Sequence, residues 1–218
     1  MIKAIIFDFD GVVADSEPIH RKSFNMTLKQ LGVTISDRFY REHYVGLGSV
    51  SIMEDVFRRH NIRRSARFWV NKRVKVFHEL VKKGEVKPVK GFMEFNKLLN
   101  KIGMKKIIAS GGYRNNISLM LRKLKLGKEF QFISREDVKR RKPDPETMLL
   151  AAKKLGMRPS ECLVFEDSPY GVEAARRAGI RCVALTTSLP RKYFKKSCVV
   201  VKDFREVDLS FLRKLGYR

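Results

Sequence analysis

Met1-Ile-Lys-Ala4-Ile-Ile-Phe7-Asp8-Phe-Asp10-Gly11-Val-Val-Ala-Asp15-Ser16-Glu17 opens the chain, and the fold is read outward from it. The apolar run from Ala4 to Phe7 predicts a strand buried on both faces, as in a parallel sheet flanked by helices. It ends on Asp8, Asp10 and Gly11, so two carboxylates stand at the carboxyl end of a strand, where α/β sheets place their chemistry. Strand geometry lets Asp8 and Asp10, two residues apart, point the same way. Gly11 allows a sharp turn with no side chain in the way and leaves backbone amides open to an anion. Alone, an Asp-x-Asp-Gly turn is equally a solvated acidic loop or a calcium-type ligand turn, so its meaning rests on what lies downstream.

After Glu17 the pattern turns helical and stays so. Ser16 is placed to cap a helix carrying Phe24, Leu28 and Leu31 on one face and stopping at Gly32. Further helices are predicted near 37–45, 50–60 and 66–83, the last with Phe68, Val70, Val74, Phe77, Leu80 and Val81 as its apolar side. The next strand resembling the first is residues 105–109, ending on Ser110-Gly111-Gly112. A βαβ unit needs only about thirty residues, so the gap implies an inserted all-helical domain at 16–87, with 1–15 and 88–218 forming the core. Residues 13–15 and 86–89 are the expected hinges, on which the insert would open and close to exclude bulk water.

Strands then alternate with helices to the end. Strands are predicted near 105–109, 130–133, 161–166, 181–186 and 198–201, and helices near 91–102, 114–125, 145–156, 169–178 and 205–215. The fold class is α/β, a doubly wound parallel sheet of Rossmann-like type.

Three further stretches carry candidate chemistry. Ser110-Gly111-Gly112 joins a strand end to a helix start, which makes either a phosphate cradle of hydroxyl and free amides or an ordinary turn. In Lys142-Pro-Asp-Pro-Glu146, Asp144 is suited to cap a helix with Pro145 in its first turn, and Pro143 keeps Lys142 on the preceding loop. Lys142 is otherwise a fourth charge in the run beginning at Lys139. In Leu163-Val-Phe-Glu166-Asp167-Ser168, adjacent carboxylates at a strand end are costly unless a cation or solvent screens them. A magnesium ion shared with Asp8 would meet that need and keep positions open for substrate phosphate. A Ser168 helix cap beside two incidental acids is the other reading.

The order Asp-x-Asp-Gly-Val, Ser-Gly, Lys-Pro-Asp-Pro and Glu-Asp-Ser, followed by Gly171-Val-Glu-Ala-Ala-Arg-Arg-Ala-Gly179, resembles the haloacid dehalogenase superfamily over residues 3 to about 186. The helical insert resembles the cap of its β-phosphoglucomutase-like branch. The resemblance implies that Asp8 is a nucleophile forming an aspartyl phosphate and that Asp10 is the general acid and base. Ser110 and the Gly111 amide, with Gly11 in the first turn, would bind phosphate, and Lys142 would neutralise charge beside Asp8. Magnesium would be held by Asp8, the Asp10 carbonyl and Asp167, with Glu166 direct or through water. His20 matches a cap histidine of several relatives, and Gly46 lies in the stretch expected to choose the substrate. A mutase of this branch carries an arginine just after its Gly-x-Ser. Here Val45-Gly46-Leu-Gly48-Ser49-Val-Ser51 has none until Arg58, which favours a phosphatase of small phosphate monoesters, with a phosphomutase as the alternative.

Composition adds bounds. The 218 residues carry 47 Lys and Arg against 23 Asp and Glu, a formal charge of +24, which favours phosphorylated substrates, nucleic acid and acidic surfaces alike. Basic clusters at Arg58 and Arg59, Arg63 and Arg64, 139–142, and Lys195 and Lys196 read as scattered, solvated charge without an interleaved aromatic stripe. Nucleic acid is therefore not the expected partner, and a nucleic-acid-binding protein without catalysis is the alternative from another class. No stretch is long and apolar enough for a bilayer and no signal pattern opens the chain; a cytoplasmic enzyme is expected. Cys162, Cys182 and Cys198 lack metal-binding spacing and read as buried thiols. Glutamine occurs only at positions 30 and 131, a composition suited to heat.

Overall fold

Strand β1, Ala4–Phe7, is buried along its whole length, as its unbroken apolar run requires. The computed structural model describes residues 1–194 and 199–217; Lys195, Lys196 and Cys198 lie outside the described residues. In chain order the strands are β1, β2 (Ala14–Asp15), β3 (Lys87–Pro88), β4 (Lys105–Ala109), β5 (Phe132–Ile133), β6 (Cys162–Glu166), β7 (Arg181–Leu185) and β8 (Val199–Val201). The helices are α1 (Glu17–Leu28), α2 (Asp37–His43), α3 (Ser49–Arg59), α4 (Ala66–Lys82), α5 (Phe92–Lys101), α6 (Arg114–Lys123), α7 (Glu146–Lys154), α8 (Pro169–Arg177) and α9 (Leu209–Lys214).

Six of these strands form one parallel sheet in the order β5-β4-β1-β6-β7-β8. The chain winds outward from β1 through β4 to β5, then returns to β6 on the other side of β1. The carboxyl ends of β1, β4 and β6 therefore meet at the topological switch point, where ligands of such sheets bind.

Alternation along β1 sorts two different cores. Ala4 and Ile6 join Ala151 and Ala152 of α7 and Ala174 and Ala175 of α8, small residues that let helices approach the sheet closely. Phe7 faces the other way, into an aromatic cluster with ring-centroid distances of 5.4 Å to Phe92, 5.6 Å to Phe165 and 6.0 Å to Phe204. Edge-on and offset rings at such distances add to the burial term.

The chain divides into two compact units, Met1–Asp15 with Lys87–Arg218, and Ser16–Val86. The first holds the sheet. It also holds a two-stranded antiparallel ribbon pairing Ala14 with Pro88 and Asp15 with Lys87. The second unit is helical, with α1 and α3 packed on α4.

Several local readings are corrected. Ser16 occupies the position before α1 but makes no side-chain cap, because its backbone is already helical. Phe68 is not on the apolar side of α4; it is 57% exposed. The buried stripe of that helix runs through Trp69, Val70, Arg73, Phe77, Leu80 and Val81, a 3.6-residue period into which Phe68 does not fall. The expected 205–215 helix is split into a 3-10 turn, Phe204–Glu206, and α9, because Asp208 accepts the Phe211 N–H and starts a new helix. Helix α7 begins at Glu146, with Asp144 accepting the Glu146 N–H at 3.0 Å just ahead of it.

Cys162 is buried, and burial pushes its thiol up to about 11. Cys182 is half-buried. Among the described residues, no helix is long and apolar enough to cross a membrane.

Candidate active site

Asp8 follows β1 directly and is 7% exposed. Its N–H donates to the Phe165 carbonyl at 2.9 Å, which ties the residue to the neighbouring strand end. The chain then reverses tightly: the Phe9 carbonyl accepts the N–H groups of both Val13 and Ala14 at 2.9 Å. Gly11 has φ +72°, and a Cβ there would lie 1.9 Å from Asp167 Oδ2. Glycine is thus required twice, by the backbone conformation and by the closeness of the β6 loop.

Lys142 is the hub of the site. Its Nζ donates to Asp8 Oδ1 at 2.5 Å and to Glu166 Oε1 at 2.6 Å. The loop that delivers it is clamped by Glu146, whose carboxylate accepts the N–H groups of Lys139 at 3.0 Å and Arg140 at 2.8 Å. The Lys142–Pro143 peptide bond is cis.

Glu166 is 1% exposed and fully engaged. Its second oxygen accepts the Asp167 N–H at 2.8 Å, the Ser168 N–H at 2.9 Å and the Ser168 hydroxyl at 3.0 Å. The Ser168 hydroxyl in turn accepts the Gly171 N–H at 3.1 Å and caps α8, so the cap and the acidic pair are parts of one structure. Gly171 has no room for a side chain, since a Cβ would stand 1.7 Å from Glu166 Oε1.

The phosphate-loop candidates lie at the end of β4. Ser110 is 1% exposed, and its Oγ accepts the Gly112 N–H at 2.9 Å. A Cβ built on Gly112 would lie 3.5 Å from Asp10 Oδ2, which places the Asp10 carboxylate beside this loop. Gly111 is exposed and has open space around its Cα.

Charge dominates the electrostatics. Burial pushes the Asp8 carboxyl up to about 8; the Lys142 charge pulls it down, and the Glu166 and Asp10 charges push it further up. Burial works against the Lys142 ammonium, yet Asp8 and Glu166 outweigh it and hold the group above its ordinary value. Oxygens of Asp8, Glu166 and Asp167 lie within 4.8 Å of one another, all three residues buried. Three buried acids gathered around one ammonium set more acidic oxygen than cation in a place poorly reached by water. A hard divalent cation fits such an all-oxygen set, and a thiophilic metal does not.

The fold thus brings Asp8, Lys142, Glu166 and Asp167 together, with Asp10 and Ser110 alongside. His20 and Gly46 belong to the helical unit. His20 stacks on Phe77 at 4.6 Å between ring centroids and shares a 2.5 Å hydrogen bond between Nδ1 and Arg73 Nη2. Gly46 takes φ +82° in the turn between α2 and α3.

Sequence reasoning missed three groups. Ser188 donates its hydroxyl to Asp167 Oδ2, and Thr187 donates to the Gly11 carbonyl at 2.5 Å. Both follow β7 on the same edge of the sheet as the acids, a hydroxyl pair at a strand end that could have been read as such. Arg73 is 1% exposed and donates to Ser23 Oγ at 2.8 Å and Ser49 Oγ at 2.7 Å, with its guanidinium over the Phe24 and Phe77 rings. Its place on the buried stripe of α4 was the available signal.

Comparison with known proteins gives the family and the fold. A family model described as haloacid dehalogenase-like hydrolase matches residues 5–185. The validoxylamine A 7'-phosphate phosphatase of Streptomyces hygroscopicus subsp. limoneus is 30% identical over 95% of this chain and 96% of its own. The phosphorylated carbohydrates phosphatase of Thermotoga maritima is 32% identical over 82% of each chain. Among solved structures, CbbY from Rhodobacter sphaeroides in complex with phosphate superposes with a TM-score of 0.86 at 26% identity, covering 98% of this chain and 100% of that one.

Proposed function

The chain belongs to the haloacid dehalogenase-like hydrolases, and from that premise we propose that it hydrolyses a small phosphate monoester of sugar or polyol type through an aspartyl phosphate on Asp8. The observation that carries this reading is Lys142, held between Asp8 and Glu166 where β1 and β6 end. A buried carboxylate touching a buried ammonium at a topological switch point is poised to receive a group more negative than itself. The relatives named for phosphorylated carbohydrates and for validoxylamine A 7'-phosphate support the substrate class.

Asp8 would attack phosphorus while Asp10 gives its proton to the departing alkoxide oxygen. Asp10, now ionised, would take a proton from the water that attacks the aspartyl phosphate. Phosphate is released and Asp8 regenerated as a carboxylate. The Ser110 hydroxyl, oriented by the Gly112 N–H that it accepts, and the Gly111 amide would hold the non-bridging oxygens. Lys142 would counter the charge gathered on Asp8 and the phosphoryl group, which is most of what a loose transition state asks of a protein. Magnesium, held by Asp8 and Asp167 with the Asp10 main-chain carbonyl, would supply further neutralisation of the transferring group. Glu166, its oxygens already taken by Lys142 and the Asp167–Ser168 turn, would support that ion through water.

The test is phosphate release from an aryl phosphate and from a panel of sugar and polyol phosphates, with and without magnesium. Wild type should turn over only with the metal, and Asp8→Asn should lose about a thousandfold or more. Retention of activity in Asp8→Asn would sink the reading. So would product in which the phosphate has moved to another sugar oxygen instead of to water.

A further inference from the structure

Between Val56 and His78 the chain carries eight Lys and Arg residues and not one carboxylate. The structure shows where this charge goes. Arg58 and Arg59 are tied to Asp55, and Arg73 is buried in the helical unit. Arg63, Arg64, Arg67, Lys72 and Lys75 remain, and among the described residues none of them pairs with a carboxylate. Helical spacing puts Phe68, Lys72 and Lys75 on one side of α4, with Arg67 in its first turn and Arg63 and Arg64 in the exposed stretch that leads into it. Phe68 is 57% exposed, with the Lys72 Nζ 5.1 Å from its ring centroid. What reads in the sequence as scattered charge is therefore a run of cations without carboxylate partners at the start and outer side of α4, with an exposed ring and its Lys72 contact within it.

We propose that this face of α4 binds single-stranded nucleic acid, a function separate from phosphate-ester hydrolysis and independent of it. Three features choose that partner. Guanidinium groups match phosphodiester oxygens in a planar fork. An exposed ring among cations is a platform on which a base of any kind stacks. An anionic bilayer would attract the same charge, but α4 turns Trp69, Val70, Phe77, Leu80 and Val81 inward and leaves Phe68 as its one exposed large apolar side chain, too little apolar surface to seat the helix in the lipid.

The experiment is fluorescence anisotropy of the full chain with labelled twenty-nucleotide oligouridylate and oligothymidylate across a salt series, alongside co-sedimentation with phosphatidylserine vesicles. Wild type should bind with a slope of log K against log salt of about −2 or steeper, as three or more displaced counterions require. Phe68→Ala should weaken binding about tenfold or more, and the triple change Arg63→Ser, Arg64→Ser, Arg67→Ser should flatten the salt slope. A charge-matched control, Lys123→Ser with Lys153→Ser and Lys154→Ser on exposed ends of α6 and α7, should change affinity less than about threefold. All variants should keep the wild-type circular dichroism and phosphate release, so that failure here is distinct from failure of the enzymatic reading. Equal losses in the patch and control triples, indifference to Phe68→Ala, no oligonucleotide binding by wild type, or patch-dependent binding to vesicles alone would each overturn the proposal.

Discussion

Ser188 sits far from any motif, yet its hydroxyl determines which way Asp167 points. It donates to Asp167 Oδ2, and both groups close over the Gly11 turn. If Asp167 holds the proposed magnesium, an oxygen fixed in this way pays less conformational entropy when the ion arrives, and loss of such outer contacts costs about 10- to 100-fold in metal affinity. Calorimetric titration of Ser188→Ala with magnesium should show a loss of that size, with Ser188→Thr restoring most of it; unchanged affinity in Ser188→Ala would remove the positioning role. The places of Asp8, Asp10, Lys142, Glu166 and Asp167 beside strand ends and ahead of a helix were legible in the sequence, because such boundaries are encoded locally. Ser188 was not, because a hydroxyl at a strand end has many uses until its partner is known.

At the level of elements, helix α3 carries a compact ionic cluster. Burial raises the Asp55 carboxyl, but hydrogen bonds from Arg59, Tyr44 and Arg58 outweigh it and hold the group at about 2. A carboxyl lowered in the folded state contributes stability that is present above its unfolded value near 3.8 and is lost as pH falls towards 2. Discounted for solvent screening, Asp55→Asn should cost about 1 kcal/mol at neutral pH. Urea midpoints for wild type and variant should converge on acidification, the difference falling to roughly half by pH 3. A difference that grows on acidification would place the effect elsewhere. Helix α4 shows why its apolar face was misread. Phe68 is an obvious core residue by type, and Arg73 an obvious surface one. The stripe nevertheless places Arg73 inside, where Ser23, Ser49 and His20 meet its donors and two rings cover its face. The continuous 205–215 helix failed on a shorter range, since Asp208 offers the backbone a fresh cap.

Across the whole molecule, a formal charge of +24 on 218 residues means that the compact state works against its own repulsion. Salt shortens the Debye length to about 10 Å at 0.1 M, so the urea midpoint should rise as sodium chloride is raised from about 0.02 to 0.2 M. A fall over that interval would mean that ion pairs such as those of Asp55 outweigh the repulsion. Strand and helix order, the parallel sheet and the acidic strand ends could all be read from the chain, because side-chain periodicity and turn residues act over a few positions. The long helical interval was visible for the same reason, as a stretch without strand character between β2 and β3. Contacts across large separations could not. Lys142 meets Asp8 across 134 positions, Thr187 meets Gly11 across 176, and Arg73 meets His20 across 53. Each depends on how packed elements fill space, and no local pattern encodes which side chain will arrive at a given strand end.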